Sequence, residues 1–271
     1  MQSYIQHQTK IGRQIVRQSG LPDVDYLAEY KRVVLTALAD CARDATSDRP
    51  LRFGHLGSGH DGSRMLALFD EIDRERWHVT GLDLDEVALG RYGDDFEGNA
   101  SAVVANLEQM PVAKGSFHVV AAEVVLEHWN RPAPIFKEIA ETLVPGGRFI
   151  FVTPNKWGLY ALLTALVPFP LRTVIGARLF GRVPDDMFPT FYRANTARDI
   201  TRASAPHLEV EKLYMWDNFP FFFYPFHPLA RLAAWYIKLT NRKPFLYGLR
   251  GEIIGVLVRP SMLGPNTAAK D

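Results

Sequence analysis

The stretch Leu51–Gly62, LRFGHLGSGHDG, most constrains what this chain can fold into. A short apolar run with few breakers reads as a buried strand, and it opens into a loop with glycines at 57, 59 and 62. From Ser63 onward, the spacing of Met65, Leu66, Leu68, Phe69 and Ile72 predicts a helix. Strand, glycine turn and helix together open a nucleotide-binding α/β unit. Glycine lets the backbone come close to a bound cofactor, and the helix N-terminus presents N–H groups. Taken alone, GSGHDG fits the dinucleotide pattern G-x-G-x-x-G, and Asp83 then stands where an NAD ribose would need an acid.

Further strands are predicted at about 77–83, 102–105, 117–122 and 147–153, with helices between them at 86–92 and 132–143. Such alternation implies a parallel, doubly wound sheet with right-handed crossovers. Residues 1–48 carry helical spacing (Tyr26, Leu27, Tyr30, Val33, Val34, Ala37, Leu38) and read as one or two helices covering the sheet edge or the site. Beyond residue 155 the pattern changes. Trp157 to Leu171 is uncharged but contains Pro168 and Pro170, and it is too short to span a bilayer. A helix at 195–203, with Asn195 or Thr196 as its cap, is followed by a strand at 208–213. The aromatic run FPFFFYPF at 219–226, an amphipathic segment at 229–239 and a final strand at 252–258 complete the chain. The expected organisation is a helical cover (1–48), a cofactor-binding core (49–155), a lid insertion (156–194), a part completing the sheet (195–260) with an apolar insertion at 219–250, and a tail (261–271).

Hydrophobic residues make up 47% of the chain and charged residues 23%, which suits a globular protein and argues against a disordered one. A single cysteine, Cys41, excludes a disulfide framework and a multi-cysteine metal site. The polar N-terminal MQSYIQHQTKIGRQ predicts a cytoplasmic location. The net charge of +1 hides an asymmetry: residues 156–271 hold 15 Lys/Arg against 8 Asp/Glu, and 1–155 hold 16 against 22. Arg172, Arg178, Arg182, Arg231, Lys238, Arg242 and Lys243 lie among apolar runs. That mix suits peripheral contact with an anionic membrane face better than a nucleic-acid groove, a solvated face being the alternative.

Downstream pieces decide between cofactors. Asn106-Leu107-Glu108-Gln109-Met110-Pro111, Gly115-Ser116-Phe117-His118-Val119-Val120, Val125-Leu126-Glu127-His128, Leu143-Val144-Pro145-Gly146-Gly147 and Thr153-Pro154-Asn155 follow in one order at tight spacing. In this the chain resembles the class I S-adenosylmethionine-dependent methyltransferases, in the type 11 and quinone O-methyltransferase group, strongly over about 51–155 and weakly through Asp186–Thr196. The resemblance implies a Rossmann-like α/β fold: a doubly wound seven-stranded sheet, mostly parallel with the last strand antiparallel, carrying helical lid insertions. It implies S-adenosyl-L-methionine as cofactor, with Gly57, Ser58 and Gly59 under its methionine part and Asp83 accepting both ribose hydroxyls. It also implies Leu84 on the adenine face, Asn106 at the adenine amino group with Leu107 beside it, and Ala122 and Glu123 where cofactor meets substrate.

There are departures from the family pattern. His55 stands where the family usually has an acid, and it either contacts the cofactor or caps the strand end. Asp61 replaces the loop's third glycine, and His118 stands where an Asp is common. Asp85 and Glu86 read as a helix start rather than as ligands. An oxygen nucleophile benefits from a base, and His128 with Glu127 is the best-placed candidate, a helix-capping role for His128 being the alternative. Tyr192 and Arg193 come next. Glu123, Glu127 and His128 make E-x-x-x-E-H, one residue longer than the E-x-x-E-H cation group of quinone O-methyltransferases, so no metal is expected. The apolar inserts point to a hydrophobic, lipid- or glycan-linked small-molecule acceptor. The competing readings are an NAD-dependent oxidoreductase and a catalytically inactive, methyltransferase-like binding protein.

Overall fold

The computed structural model describes residues 2–21, 25–44, 50–59, 68, 71, 74–87, 89, 90, 100–180 and 188–261. Asp61, Gly62, Arg182, Asp186 and nearly all of the helix expected from Ser63 lie outside them. The strands are β1 (Leu51–Leu56), β2 (Trp77–Asp83), β3 (Ala100–Val104), β4 (Phe117–Glu123), β5 (Leu143–Pro154), β6 (Glu209–Trp216) and β7 (Glu252–Val258). The helices are α1 (Gln2–Gln18), α2 (Tyr26–Asp44), α3 (Pro132–Thr142), α4 (Leu159–Ala165), α5 (Phe169–Phe180), α6 (Ala197–Ser204) and α7 (His227–Arg242).

The seven strands form one sheet in the order β3-β2-β1-β4-β5-β7-β6. Strands β1 to β5 pair in parallel, and β7 lies antiparallel between β5 and β6. Both faces are buried, which is why the strands read as near-continuous apolar runs. On one face Phe149 and Phe151 pack with Phe136 and Ile139 of α3 and Ile200 of α6. On the other, Ile150 and Val152 pack with Val33, Val34 and Leu38 of α2. The helix α2 therefore covers a face of the sheet rather than its edge, because its apolar stripe is wide enough to be buried there. A satellite core joins Val16 of α1 to Phe219, Phe223 and Ala230, Ala233 and Ile237 of α7.

Two elements differ from the sequence expectation. Strand β5 begins at Leu143, four residues early, because LVPGG joins the sheet through a register shift between Phe117 and Val119 of β4. Helix α6 is capped by Thr196, whose hydroxyl accepts from the Asp199 amide at 3.0 Å, and not by Asn195. Among the described residues no single helix is long and apolar enough to cross a membrane. Around Pro168, α4 and α5 are bent by 111°.

Candidate active site

The strand order reverses between β1 and β4, and ligands of open α/β sheets bind at the carboxyl ends of strands beside such a switch point. There β1 runs into Gly57 (φ +66°) and Gly59 (φ +40°), both in the left-handed region that favours glycine. The Gly57 and Ser58 amides donate to the Leu82 carbonyl at 2.8 and 3.4 Å, which folds the loop over the end of β2. Asp83 ends β2 and fastens this turn. Its Oδ2 accepts from the Gly59 amide at 2.8 Å and its Oδ1 from the Asp85 amide at 2.9 Å. Each carboxylate oxygen has two acceptor positions, so capacity for ligand hydroxyls remains.

A Cβ on Gly57 would stand 2.4 Å from Val125 Cγ2. Gly57→Ala is therefore expected to destabilise the fold by about 1–3 kcal/mol, combining left-handed strain with the clash. Urea denaturation checks it, and unchanged stability would refute the tight approach of loop and Val125.

The remaining cofactor-side positions divide. Ser58 is buried, with its hydroxyl lacking a partner, and Leu84 beside Asp83 is 72% exposed. Asn106 is exposed, but its Oδ1 accepts from the Glu108 amide at 3.0 Å, an Asx turn that engages the oxygen expected to meet adenine. Leu107 packs against the α3-side core, and Ala122 is wholly buried in it. Glu123 is half-buried. His55 is buried on the α2 side, where desolvation pushes its imidazole down to about 4 and keeps it neutral. His118 lies at the opposite end of the sheet. Its Nδ1 accepts from the Arg52 amide at 3.1 Å, linking β4 to β1. Asp85 accepts from the Val87 amide at 2.9 Å and starts a helical turn.

A second cluster stands where β4 and β5 end. His128 Nδ1 lies 2.8 Å from the Pro189 carbonyl, which can only accept, so Nδ1 carries the proton and Nε2 the lone pair. Nε2 is 3.9 Å from Glu127 Oε1, and Phe188 meets the ring edge-on. Helix α3 is entered through Arg131 with no side-chain cap, so His128 does not cap it. Glu127 is buried, and Thr153 donates to its Oε2 at 3.2 Å. Burial pushes the Glu127 carboxyl up, with the His128 ring and Thr153 opposing. Asn195 donates to Thr153 Oγ1 at 2.7 Å and to the Pro154 carbonyl at 2.8 Å, so Thr153 is oriented toward Glu127. The amides of Phe191 and Tyr192 donate to the Glu127 carbonyl at 2.7 and 3.2 Å, placing Tyr192 (φ +52°) at the cluster. Burial pushes the Tyr192 phenol up to about 12, which makes it a proton donor rather than a base near neutral pH. Arg193 is exposed.

Sequence reasoning missed Thr153 and Asn195 as the support of Glu127; the TPN piece was a signal, but its hydrogen-bond partner was not. It also missed Glu252 and Asp217, two buried carboxyls at the same sheet edge. Burial, followed by Glu127 and Asp217, pushes Glu252 up to about 8. Folding thus favours its protonated form. That contribution is complete below the ordinary carboxyl range and is lost as pH rises through about 8. Buried neutral His55 acts oppositely, its contribution being lost as pH falls from its ordinary value of 6.5 toward about 4. Above pH 6.5 the His55 contribution is complete, and Glu252 adds its slope to that of the other buried carboxyls, Glu127 and Asp217. Stability should fall by about 2 kcal/mol from pH 6.5 to 8, at ~1.4 kcal/mol per unit, and Glu252→Gln should flatten that slope. Urea denaturation at each pH reads it, and an equal slope in the variant would contradict the assignment.

Comparison with known proteins bears on the same edge. Residues 55–151 match the family described as "Methyltransferase domain". Ubiquinone biosynthesis O-methyltransferase of Idiomarina loihiensis is 32% identical over 124 residues, 40% of this chain and 50% of that protein. Ubiquinone/menaquinone biosynthesis C-methyltransferase UbiE of Methylobacterium nodulans is 30% identical over 106 residues, 38% of this chain and 41% of that one. The matches thus span half or less of these relatives. Geranyl diphosphate C-methyltransferase from Streptomyces coelicolor A3(2), solved with S-adenosyl-L-homocysteine, superposes with a TM-score of 0.52 at 17% identity, covering 89% of this chain and 88% of that one; it shares the fold. The glycine cradle, the Asp83 acceptor and the unpartnered Ser58 hydroxyl fit such a cofactor. Residues 55–151 are thus similar to the methyltransferase domain family, on a fold that the solved methyltransferase shares.

Proposed function

We propose that the protein transfers a methyl group from S-adenosylmethionine to an oxygen of a hydrophobic, lipid- or glycan-linked small molecule. The observation that carries this reading is His128: its Nδ1 proton is committed to the Pro189 carbonyl and its Nε2 stands at the carboxyl edge beside Glu127. When bound, the cofactor supplies a methyl already activated on a positively charged sulfur. The chain's own task is alignment, which can contribute ~7–11 kcal/mol, and removal of one proton. His128 Nε2 would take the acceptor's O–H proton, and Glu127 stands beside the imidazolium that results. Gly57, Ser58 and Gly59 cradle the cofactor, Asp83 takes its ribose hydroxyls, and Leu84, Leu107 and Asn106 flank its base. His55, Ala122 and Glu123 line its methionine end. Tyr192 donates a hydrogen bond to the acceptor.

Calorimetry tests the reading. S-adenosylhomocysteine should bind at micromolar concentration and NAD should not; no binding of the former would overturn it.

A second observation favours a cytoplasmic protein working at a membrane face. Leu162, Leu166, Leu171 and Val174 of the bent pair, with Leu232, Trp235 and Phe245, are exposed, as are the cations Arg178, Arg231, Arg242 and Lys243. Apolar side chains among cations suit shallow insertion into an anionic interface. Flotation with phosphatidylserine vesicles should recover the protein, and recovery equal to that with neutral vesicles would refute the contact.

A further inference from the structure

Strand β7 begins at Glu252, opposite Pro154 of β5 and Trp216 of β6, on the edge that carries Glu127. Glu252 is 6% exposed. Its Oε1 accepts from Asn218 Nδ2 at 3.0 Å, and its Oε2 has no partner. Glu252 lines a cavity of about 20 Å³, room for one group the size of a water molecule. The other walls include Leu159, Tyr160, Ala233, Tyr236 and Ile237, which are apolar or aromatic.

The neighbouring carboxylate is already supplied with donors. Asp217 accepts from the Thr240 hydroxyl at 2.9 Å, the Asn241 amide at 2.5 Å and the Gly251 amide at 3.4 Å, and Arg250 lies 3.7 Å away. No such cation acts on Glu252 among the described charges: the groups that bear on it are the carboxyls of Glu127 and Asp217. A buried, unpartnered carboxyl oxygen leaves its loss of solvation uncompensated. An acidic cluster in a low-dielectric pocket makes a small cation, taking the place of the carboxyl proton released to solvent, its most favourable complement.

Resting on the methyltransferase reading above, we propose that this cavity binds an ammonium group of the acceptor, with Glu252 Oε2 as its partner and Tyr160 and Tyr236 flanking the alkyl stem. The acceptor is thus an amine-bearing apolar molecule. Aromatic faces attract cations and apolar walls accept the methylenes beside them. Helix α4, which carries Tyr160, also borders Tyr192: the Tyr160 phenol acts on Tyr192 electrostatically. One helix therefore joins the ammonium pocket to the proton-transfer cluster.

The experiment uses the full chain and hexylammonium as probe, with hexanol as a neutral probe of equal length. Calorimetry should show saturable hexylammonium binding in the presence of S-adenosylhomocysteine, and hexanol binding at least about tenfold weaker. Glu252→Gln, which keeps an oxygen for Asn218, should weaken hexylammonium binding about tenfold while S-adenosylhomocysteine binding persists. Equal binding of the two probes overturns the proposal, because the cavity then reads only apolar length. So does hexylammonium binding that Glu252→Gln leaves unchanged. Failure of S-adenosylhomocysteine to bind the wild type is a different result and removes the methyltransferase reading instead.

Discussion

Asp83→Ala should weaken S-adenosylhomocysteine binding about 10²- to 10⁴-fold while leaving the circular dichroism spectrum unchanged. The range follows from two ribose hydroxyls donating to a charged acceptor, worth about 1.5–3 kcal/mol each. The loss has a second component, because the Asp83 carboxylate also holds the Gly59 and Asp85 amides at 2.8 and 2.9 Å. Without it the glycine loop gives up one anchor, and the bonds of the Gly57 and Ser58 amides to Leu82 carry the turn. Asp83→Asn separates the two components. An amide keeps one acceptor oxygen but turns an NH2 toward either a ribose hydroxyl or a backbone N–H. Its affinity should fall between wild type and alanine. Titration calorimetry reads all three proteins, and alanine-variant affinity within threefold of wild type would dismiss Asp83 as the ribose anchor.

His128→Ala should lower methyl transfer about 10²- to 10⁴-fold, the range for removing a positioned general base, while S-adenosylhomocysteine affinity changes less than threefold. The reason is geometric. With Nδ1 committed to Pro189, a neutral ring can present only Nε2 toward the edge. Glu127→Gln should lose less, because the amide keeps an oxygen for Thr153 but no charge for the imidazolium. Incorporation of labelled methyl into a para-alkylphenol probe, at saturating cofactor, measures both variants. A His128→Ala enzyme with unaltered turnover would move the base elsewhere.

The sheet was legible because two-sided burial writes itself into local composition. Trp77–Asp83 and Glu252–Val258 form strands where their apolar runs predict them. Strand β5 outran its prediction because Pro145 and Gly146 look like a turn, whereas the register shift absorbs them into the ladder. On the cofactor side, a strand ending in Asp83 and a glycine pair needing positive φ are local signals. Asn106 is less plain, because a neighbouring amide, two residues on, shares the same oxygen. The polar pairs behind the second cluster were not legible. Thr153 meets Asn195 across 42 residues and Asn218 meets Glu252 across 34. Those partners are set by which strands become neighbours, and no periodicity within either segment encodes that. Gly251 and Glu252 read as nothing more than the approach to an apolar strand.

The antiparallel placement of β7 between β5 and β6 has a temporal consequence. Strand β6 reaches the sheet only through β7, so a nascent chain released as far as β6 has no neighbour to receive that strand. The parallel half, β1 to β5, can close as soon as residue 154 is free, and it contains the glycine loop and Asp83. Glu252 arrives at the first residue of β7, and with it the wall that faces the acceptor. A ribosome-bound chain therefore completes the cofactor half first and the acceptor half last, in the order β7 then β6.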